Sequence, residues 1–148
     1  MCGIVGFLTS NPSEIPERQI LQGMRDILIH RGPDDQGEYI RPLNDWGPFL
    51  FFGHRRLSII DLVSGQQPLS NEDGTVWVIF NGEIYNFKEL REKLRALGHR
   101  FKTNSDTEVI VHGYEEYGEE CFKHLNGMFA VGIWDERKKQ LILARDRL

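Results

Sequence analysis

The chain has 148 residues, 40% hydrophobic and 27% charged, with 18 Lys and Arg against 22 Asp and Glu for a net charge of −4. That length suits one domain with a real core. The interspersed, slightly acidic balance argues against nucleic acid or an anionic membrane surface as the main partner, since either selects a basic face.

The chain opens on Met1-Cys2-Gly3. Methionine before a small side chain invites removal of the initiator, which would make Cys2 the N-terminus. A free α-amine titrates near ~7.7–8.0 and a free thiol near ~8.5, so the amine can act as base for its own side chain. The plainer alternative is that Cys2 merely begins a strand as a small apolar residue. No run approaches the ~20 apolar residues of a membrane helix, and no basic-then-apolar leader is present, so neither membrane nor secretion is expected. The second cysteine is Cys121. A catalytic Cys2 must stay a thiol, which places the protein in a reducing cytoplasm and leaves Cys121 as core packing.

A strand is expected over 3–9, then a turn at Asn11-Pro12-Ser13. Ile20, Leu21, Met24, Ile27 and Leu28 recur at helical spacing through 15–29. His30-Arg31-Gly32-Pro33-Asp34 breaks that helix, and a strand follows over 37–41. Phe49 to His54 is a dense apolar strand leading into Arg55-Arg56. Two arginines between apolar runs suggest that at least one faces a cavity holding an anion; a solvated pair at a sheet edge is the alternative. Leu57 to Asp61 reads as extended, and 64–74 as a surface loop.

Thr75 to Phe80 is a strand, followed by a polar loop at Asn81-Gly82-Glu83. A helix then carries Phe87, Leu90, Leu94 and Leu97 on one face, with Asn86 and Glu89 as a capping box and Gly98 as its stop. Ser105-Asp106-Thr107-Glu108 starts another helix, Asp106 complementing its dipole, and Gly118 ends it. A short helix over 119–125 precedes a hairpin of 128–134 and 140–144. The chain then stops at Arg145-Asp146-Arg147-Leu148 without a winding-down segment, as if cut inside a larger protein. The expected fold class is α+β, a four-layer αββα sandwich of two mainly antiparallel sheets. The histidines His30, His54, His99, His112 and His124 show no i, i+4 pair and no Cys-x-x-Cys accompanies them, so no metal site is expected.

Taken together, Met-Cys-Gly-Ile-Val-Gly at 1–6, His-Arg-Gly-Pro-Asp at 30–34, Gly-His-Arg-Arg-Leu-Ser-Ile at 53–59, Phe-Asn-Gly-Glu-Ile-Tyr-Asn at 80–86 and Ser-Asp-Thr-Glu at 105–108 resemble the glutaminase domain of asparagine synthetases. These are class II glutamine amidotransferases of the N-terminal-nucleophile hydrolase superfamily. The resemblance implies that Cys2 is the nucleophile and that Asn81, by its side chain, and Gly82, by its backbone N–H, form the oxyanion hole. It implies that Arg56 grips the α-carboxylate of L-glutamine, that Leu57, Ser58, Ile59 and Ile60 follow along the substrate-binding segment, and that Glu83 and Asp106 surround the α-ammonium. Glutamine is a zwitterion with a neutral amide at its far end, so one cation, one or two anions and neutral donors are what its pocket needs.

The resemblance further implies a domain incomplete at its C-terminal end and a covalently following synthetase domain that takes the ammonia. ATP and magnesium belong to that domain alone: neither a Gly-x-x-x-x-Gly-Lys-Ser/Thr loop nor a Ser-Gly-Gly loop occurs here. A homodimer is compatible with this reading. The alternatives are an amidotransferase domain serving another acceptor, such as a sugar acid, or a non-catalytic glutamine-binding regulatory module.

Overall fold

The structure is a computed structural model and describes residues 2–58 and 65–147. Strands β1 (Gly3–Thr9), β2 (Asp35–Arg41) and β3 (Phe49–Arg56) form one antiparallel sheet in the order β1-β3-β2. Strands β4 (Leu69–Ser70), β5 (Val76–Ile84), β6 (Gly127–Asp135) and β7 (Gln140–Arg145) form a second, antiparallel throughout, in that order. Three α-helices flank them: α1 (Arg18–Asp26), α2 (Phe87–Ala96) and α3 (Thr107–Tyr117).

The layering follows from strand alternation. On β3, Phe49 and Phe51 pack with Leu21 of α1, while Leu50 and Phe52 meet Ile79 and Trp134 of the second sheet. On β5, Val78, Phe80 and Ile84 turn the other way, onto Leu90 and Leu94 of α2 and Val109 and Ile110 of α3. Each such side chain contributes roughly 1.5–3 kcal/mol on burial, and this stacking buries all these faces. The result is the expected αββα sandwich. Arg41 ties its layers together, donating from Nε and Nη2 to the two carboxylate oxygens of Glu136 at 2.7 and 3.0 Å.

Several local expectations are corrected. Asn11 caps a single 3-10 turn over Pro12–Glu14, and α1 begins only at Arg18, beyond Pro16. Ser64 lies outside the described residues, and the rest of the 64–74 stretch is not a surface loop: Gln67 and Asn71 are buried, and Leu69–Ser70 is the strand β4. Strand β5 runs on through Ile84, so Asn81-Gly82 lies inside a ladder rather than in a loop. Asn86 forms no capping box; its side chain donates to the His124 carbonyl and accepts from the Asn126 N–H. Leu57 and Ser58 are not in a strand, and Ile59, Ile60 and Asp61 lie outside the described residues. Among the described residues no helix is long and apolar enough to cross a membrane.

Candidate active site

Strand parity carries through to the ends of the strands and there builds the site. Arg56 continues the face of Leu50 and Phe52 toward the second sheet, whereas Arg55 continues the face of Phe51 toward α1. Both are buried, at 5% and 6% exposure, which removes the solvated-edge reading. Arg55 is structural, donating to the Gly32 carbonyl at 3.1 Å and to Gln36 Oε1 at 2.7 Å. Arg56 lines an open cleft of about 590 Å³ with Cys2 and Leu57. Gly65 and Gln67, Phe80, Gly82 and Glu83 of β5, Ser105, Asp106 and Thr107 at the head of α3, and Met128 of β6 complete its walls.

Cys2 is half-buried. The Leu57 N–H donates to its Sγ at 3.4 Å, and the Leu57 carbonyl lies 3.7 Å from the sulfur. An N–H aimed at the sulfur complements negative charge there. The His-Arg-Gly-Pro-Asp loop holds this corner. Arg31 Nε donates to the Cys2 carbonyl at 3.1 Å, the Asp34 N–H donates to the Arg56 carbonyl, and Asp34 accepts the Ser58 N–H. Gly32 permits the close approach, since a Cβ there would sit 2.3 Å from the Arg55 carbonyl oxygen.

The anionic side of the cleft is Asp106 and Glu83. Asp106 stands at the N-cap of α3 but makes no side-chain cap. It reaches across to accept the Ile84 N–H at 3.0 Å. Burial pushes its carboxyl pKa up, and the charge of Glu83 adds to the rise. An acid held unfavourably as an anion gains when a cation arrives. Glycine at 82 also has a packing reason: a Cβ would lie 2.1 Å from the Met128 carbonyl oxygen.

The Gly82 N–H has a definite direction. Glu136 donates to Thr75 and Tyr85 to Asn126, so Thr75–Glu136 and Tyr85–Asn126 are hydrogen-bonded pairs of one register. Such pairs alternate. Gly82–Phe129 therefore falls between them, and Phe129 bonds instead to Asp146 on its other side. Gly82 thus turns its N–H to the open edge of β5. There its neighbours Phe80 and Ile84 are satisfied by Gln67 Oε1 (2.6 Å) and Asp106 Oδ2 (3.0 Å).

Asn81 is on the face of Ile79, turned toward the sheet that carries Cys2, but it does not line the cleft itself. Its Oδ1 is buried with no hydrogen-bond partner among the described residues. Ser58 also stays out of the cleft wall, and Ile59 and Ile60 lie outside the described residues. His30 and His54 stand outside the cleft wall. His30 is exposed against the Ile27 carbonyl; His54 is buried between the sheets, where burial holds its pKa down at about 4 and keeps the ring neutral.

Gln67 escaped the sequence reading. Its Oε1 takes the Phe80 N–H and its Nε2 donates to Thr107 Oγ1 at 3.2 Å, so one side chain joins strand β5 to the head of α3. The adjacent Pro68 is the only local signal.

A family model described as a glutamine amidotransferase domain matches residues 1–148. The chain belongs to this family. The amidotransferase domain is 44% identical over 151 residues to asparagine synthetase [glutamine-hydrolyzing] 3 of Bacillus subtilis, an alignment spanning 100% of this chain and 24% of that protein. It is 47% identical over 148 residues to asparagine synthetase [glutamine-hydrolyzing] 2 of Arabidopsis thaliana, again covering 100% and 24%. It thus spans about a quarter of the length of these relatives. Among solved structures, glutamine phosphoribosylpyrophosphate amidotransferase from B. subtilis, complexed with ADP and GMP, superposes with a TM-score of 0.64 at 23% identity, covering 85% of this chain and 34% of that one. That likeness is one of fold, the two-sheet sandwich with its flanking helices.

Proposed function

We propose that this domain hydrolyses L-glutamine to glutamate and ammonia, with Cys2 as nucleophile once Met1 is removed, and that the ammonia serves a following synthetase domain making asparagine. The observation that carries the reading is the sharing of one cleft by the Cys2 sulfur, the buried cation Arg56, the buried acid Asp106 and the edge-facing Gly82. Arg56 suits the α-carboxylate, Asp106 and Glu83 the α-ammonium, and the side-chain amide then extends toward Cys2.

The chemistry runs in two halves. The sulfur attacks the amide carbon, the Gly82 N–H stabilises the oxyanion together with the Asn81 amide, which turns in from beside the cleft wall when substrate is bound, and the α-amine of Cys2 passes the thiol proton to the departing ammonia. Water then attacks the γ-glutamyl thioester, releasing glutamate and restoring the thiol. One oxyanion donor of this kind is worth ~2.7–4 kcal/mol of barrier. ATP and magnesium would act only in the synthetase domain.

Support for asparagine as the product comes from the names of the relatives, each a glutamine-hydrolysing asparagine synthetase about four times longer than this chain. The test is glutamate release from glutamine by protein whose N-terminus is sequenced as Cys2. Release above a Cys2→Ala control supports the reading, and none above that control overturns it.

A further inference from the structure

A second cluster of chemically capable side chains sits further along α3, sharing no residue with the cleft. His112 and Glu115 of α3, His99 just beyond α2 and Glu72 in the turn between β4 and β5 converge on one point. His112 Nδ1 is 3.0 Å from Glu115 Oε2 and 3.8 Å from Glu72 Oε2, and His99 Nδ1 is 3.8 Å from Glu115 Oε2. In a tetrahedral site with metal–ligand bonds of about 2.0–2.2 Å, ligand atoms stand about 3.3–3.6 Å apart. These three distances bracket that spacing, and Glu72, His99 and His112 each offer a ligand atom within 4.8 Å of the other two.

The outer atoms of His99, Glu115 and Glu72 are hydrogen-bonded, His112 Nε2 is buried without a hydrogen bond, and the inner His112 Nδ1 and Glu115 Oε2 share a hydrogen bond at 3.0 Å that a metal would replace. Glu116 lies 3.2 Å behind His99 Nε2, and Glu108 lies 3.6 Å behind His112 Nε2. Asn71 Nδ2 holds Glu115 Oε1 at 2.7 Å, and the Arg100 N–H holds Glu72 Oε1 at 3.1 Å. Glu108 is itself fixed by the N–H groups of Lys102 and Thr103. A carboxylate behind each imidazole sets the tautomer and orients the ring in protein metal centres.

The backbone delivers these groups for local reasons. Gly98, at φ +102, ends α2 so that the His99 N–H bonds the Leu94 carbonyl and its ring falls 4.9 Å from that of His112. Asn71 shapes the turn that presents Glu72 by accepting the N–H groups of Thr75 and Val76. His112 is buried at 1% exposure, while Glu72 is exposed and gives an ion a way in.

We propose that Glu72, His99, His112 and Glu115 form a tetrahedral site for a divalent transition metal of the zinc class, stapling α2, α3 and the β4–β5 turn together. Two imidazoles with two carboxylates match zinc better than the all-oxygen sets of calcium or magnesium. The site is independent of glutamine chemistry and needs no turnover to be seen.

The test uses the full chain carrying Cys2→Ala, which removes a competing thiol. After equilibration with zinc sulfate and desalting, elemental analysis should find one zinc per chain, and cobalt(II) should give the intense visible absorption of a tetrahedral ion. Zinc should also raise Tm. His99→Ala and, at the exposed position, Glu72→Gln should each weaken zinc binding by more than the ~10–100-fold that loss of an outer-shell partner costs. Substoichiometric zinc in the Cys2→Ala chain, or binding unchanged in folded Glu72→Gln and His99→Ala, would overturn the proposal and leave only an ion-pair cluster.

Discussion

The Leu57 N–H points at the Cys2 sulfur across 3.4 Å. The residue that leaves strand β3 therefore supports the Cys2 sulfur, while Arg56, one position earlier, lines the same cleft from the strand end. Two adjacent residues thus fix how far the Arg56 end of the cleft lies from the sulfur. This short lever explains why the Arg31-to-Asp34 loop is spent on clamping Cys2, Arg56 and Ser58.

Asn81 separates catalysis from folding. Its Oδ1 is buried and unpartnered, and such an acceptor costs roughly 1–3 kcal/mol. Asn81→Ala should therefore melt no lower than wild type, while kcat for glutaminase falls ~10²–10³-fold with KM little changed. Steady-state kinetics beside a thermal melt checks both.

Asp106 is the reverse case. Burial raises its pKa in the fold, so the folded state binds the proton more readily than the unfolded chain, and the ionised carboxylate weakens the fold at neutral pH. That cost declines as pH falls through the raised value and is gone only below the ordinary carboxyl value. Asp106→Asn should raise Tm at pH 7 and abolish the further rise that glutamine gives the wild type, as read by thermal melts with and without glutamine.

Gln67 holds two walls of the cleft through one amide. Gln67→Met leaves the Phe80 N–H without its acceptor and should destabilise the chain by about 1–3 kcal/mol in urea unfolding. Gln67→Glu keeps that acceptor while losing the donation to Thr107, and should fall between the two.

The Arg41–Glu136 pair controls acid stability. Hydrogen bonding from Arg41 holds the Glu136 carboxyl at about 2, below its ordinary 4.5. A depressed carboxyl stabilises the fold above the ordinary value and loses that contribution as pH falls toward the folded one. The advantage of wild type over Glu136→Gln should be full at pH 6, decline below about 4.5 and vanish near 2, measured by urea midpoints across pH.

The sandwich was legible because its strands alternate cleanly and its helices show single apolar faces; Phe49 to Phe52 and Val76 to Phe80 read directly. That Cys2, Arg56, Gly82 and Asp106 belong together was legible through linked motifs, and the four do line one cleft. Gln67 was not, because its effect comes from standing opposite Phe80 in the β4–β5 register, which no local pattern displays. The continuation of β5 through Asn81-Gly82 was hidden for a similar reason: that dipeptide favours turns, and pairing with β6 overrides it. The Glu72, His99, His112 and Glu115 cluster draws on three elements and has no spacing signature in the sequence.

The central claim is that Cys2 is a nucleophile facing a cleft shaped for glutamine. Its most direct test is the intact mass and peptide map of Cys2-terminated protein after brief exposure to an electrophilic glutamine analogue, with and without excess glutamine. The account predicts one adduct, on Cys2, suppressed by glutamine and absent from buried Cys121. Labelling of Cys2 that glutamine does not slow, or that runs no faster than labelling of Cys121, would contradict it.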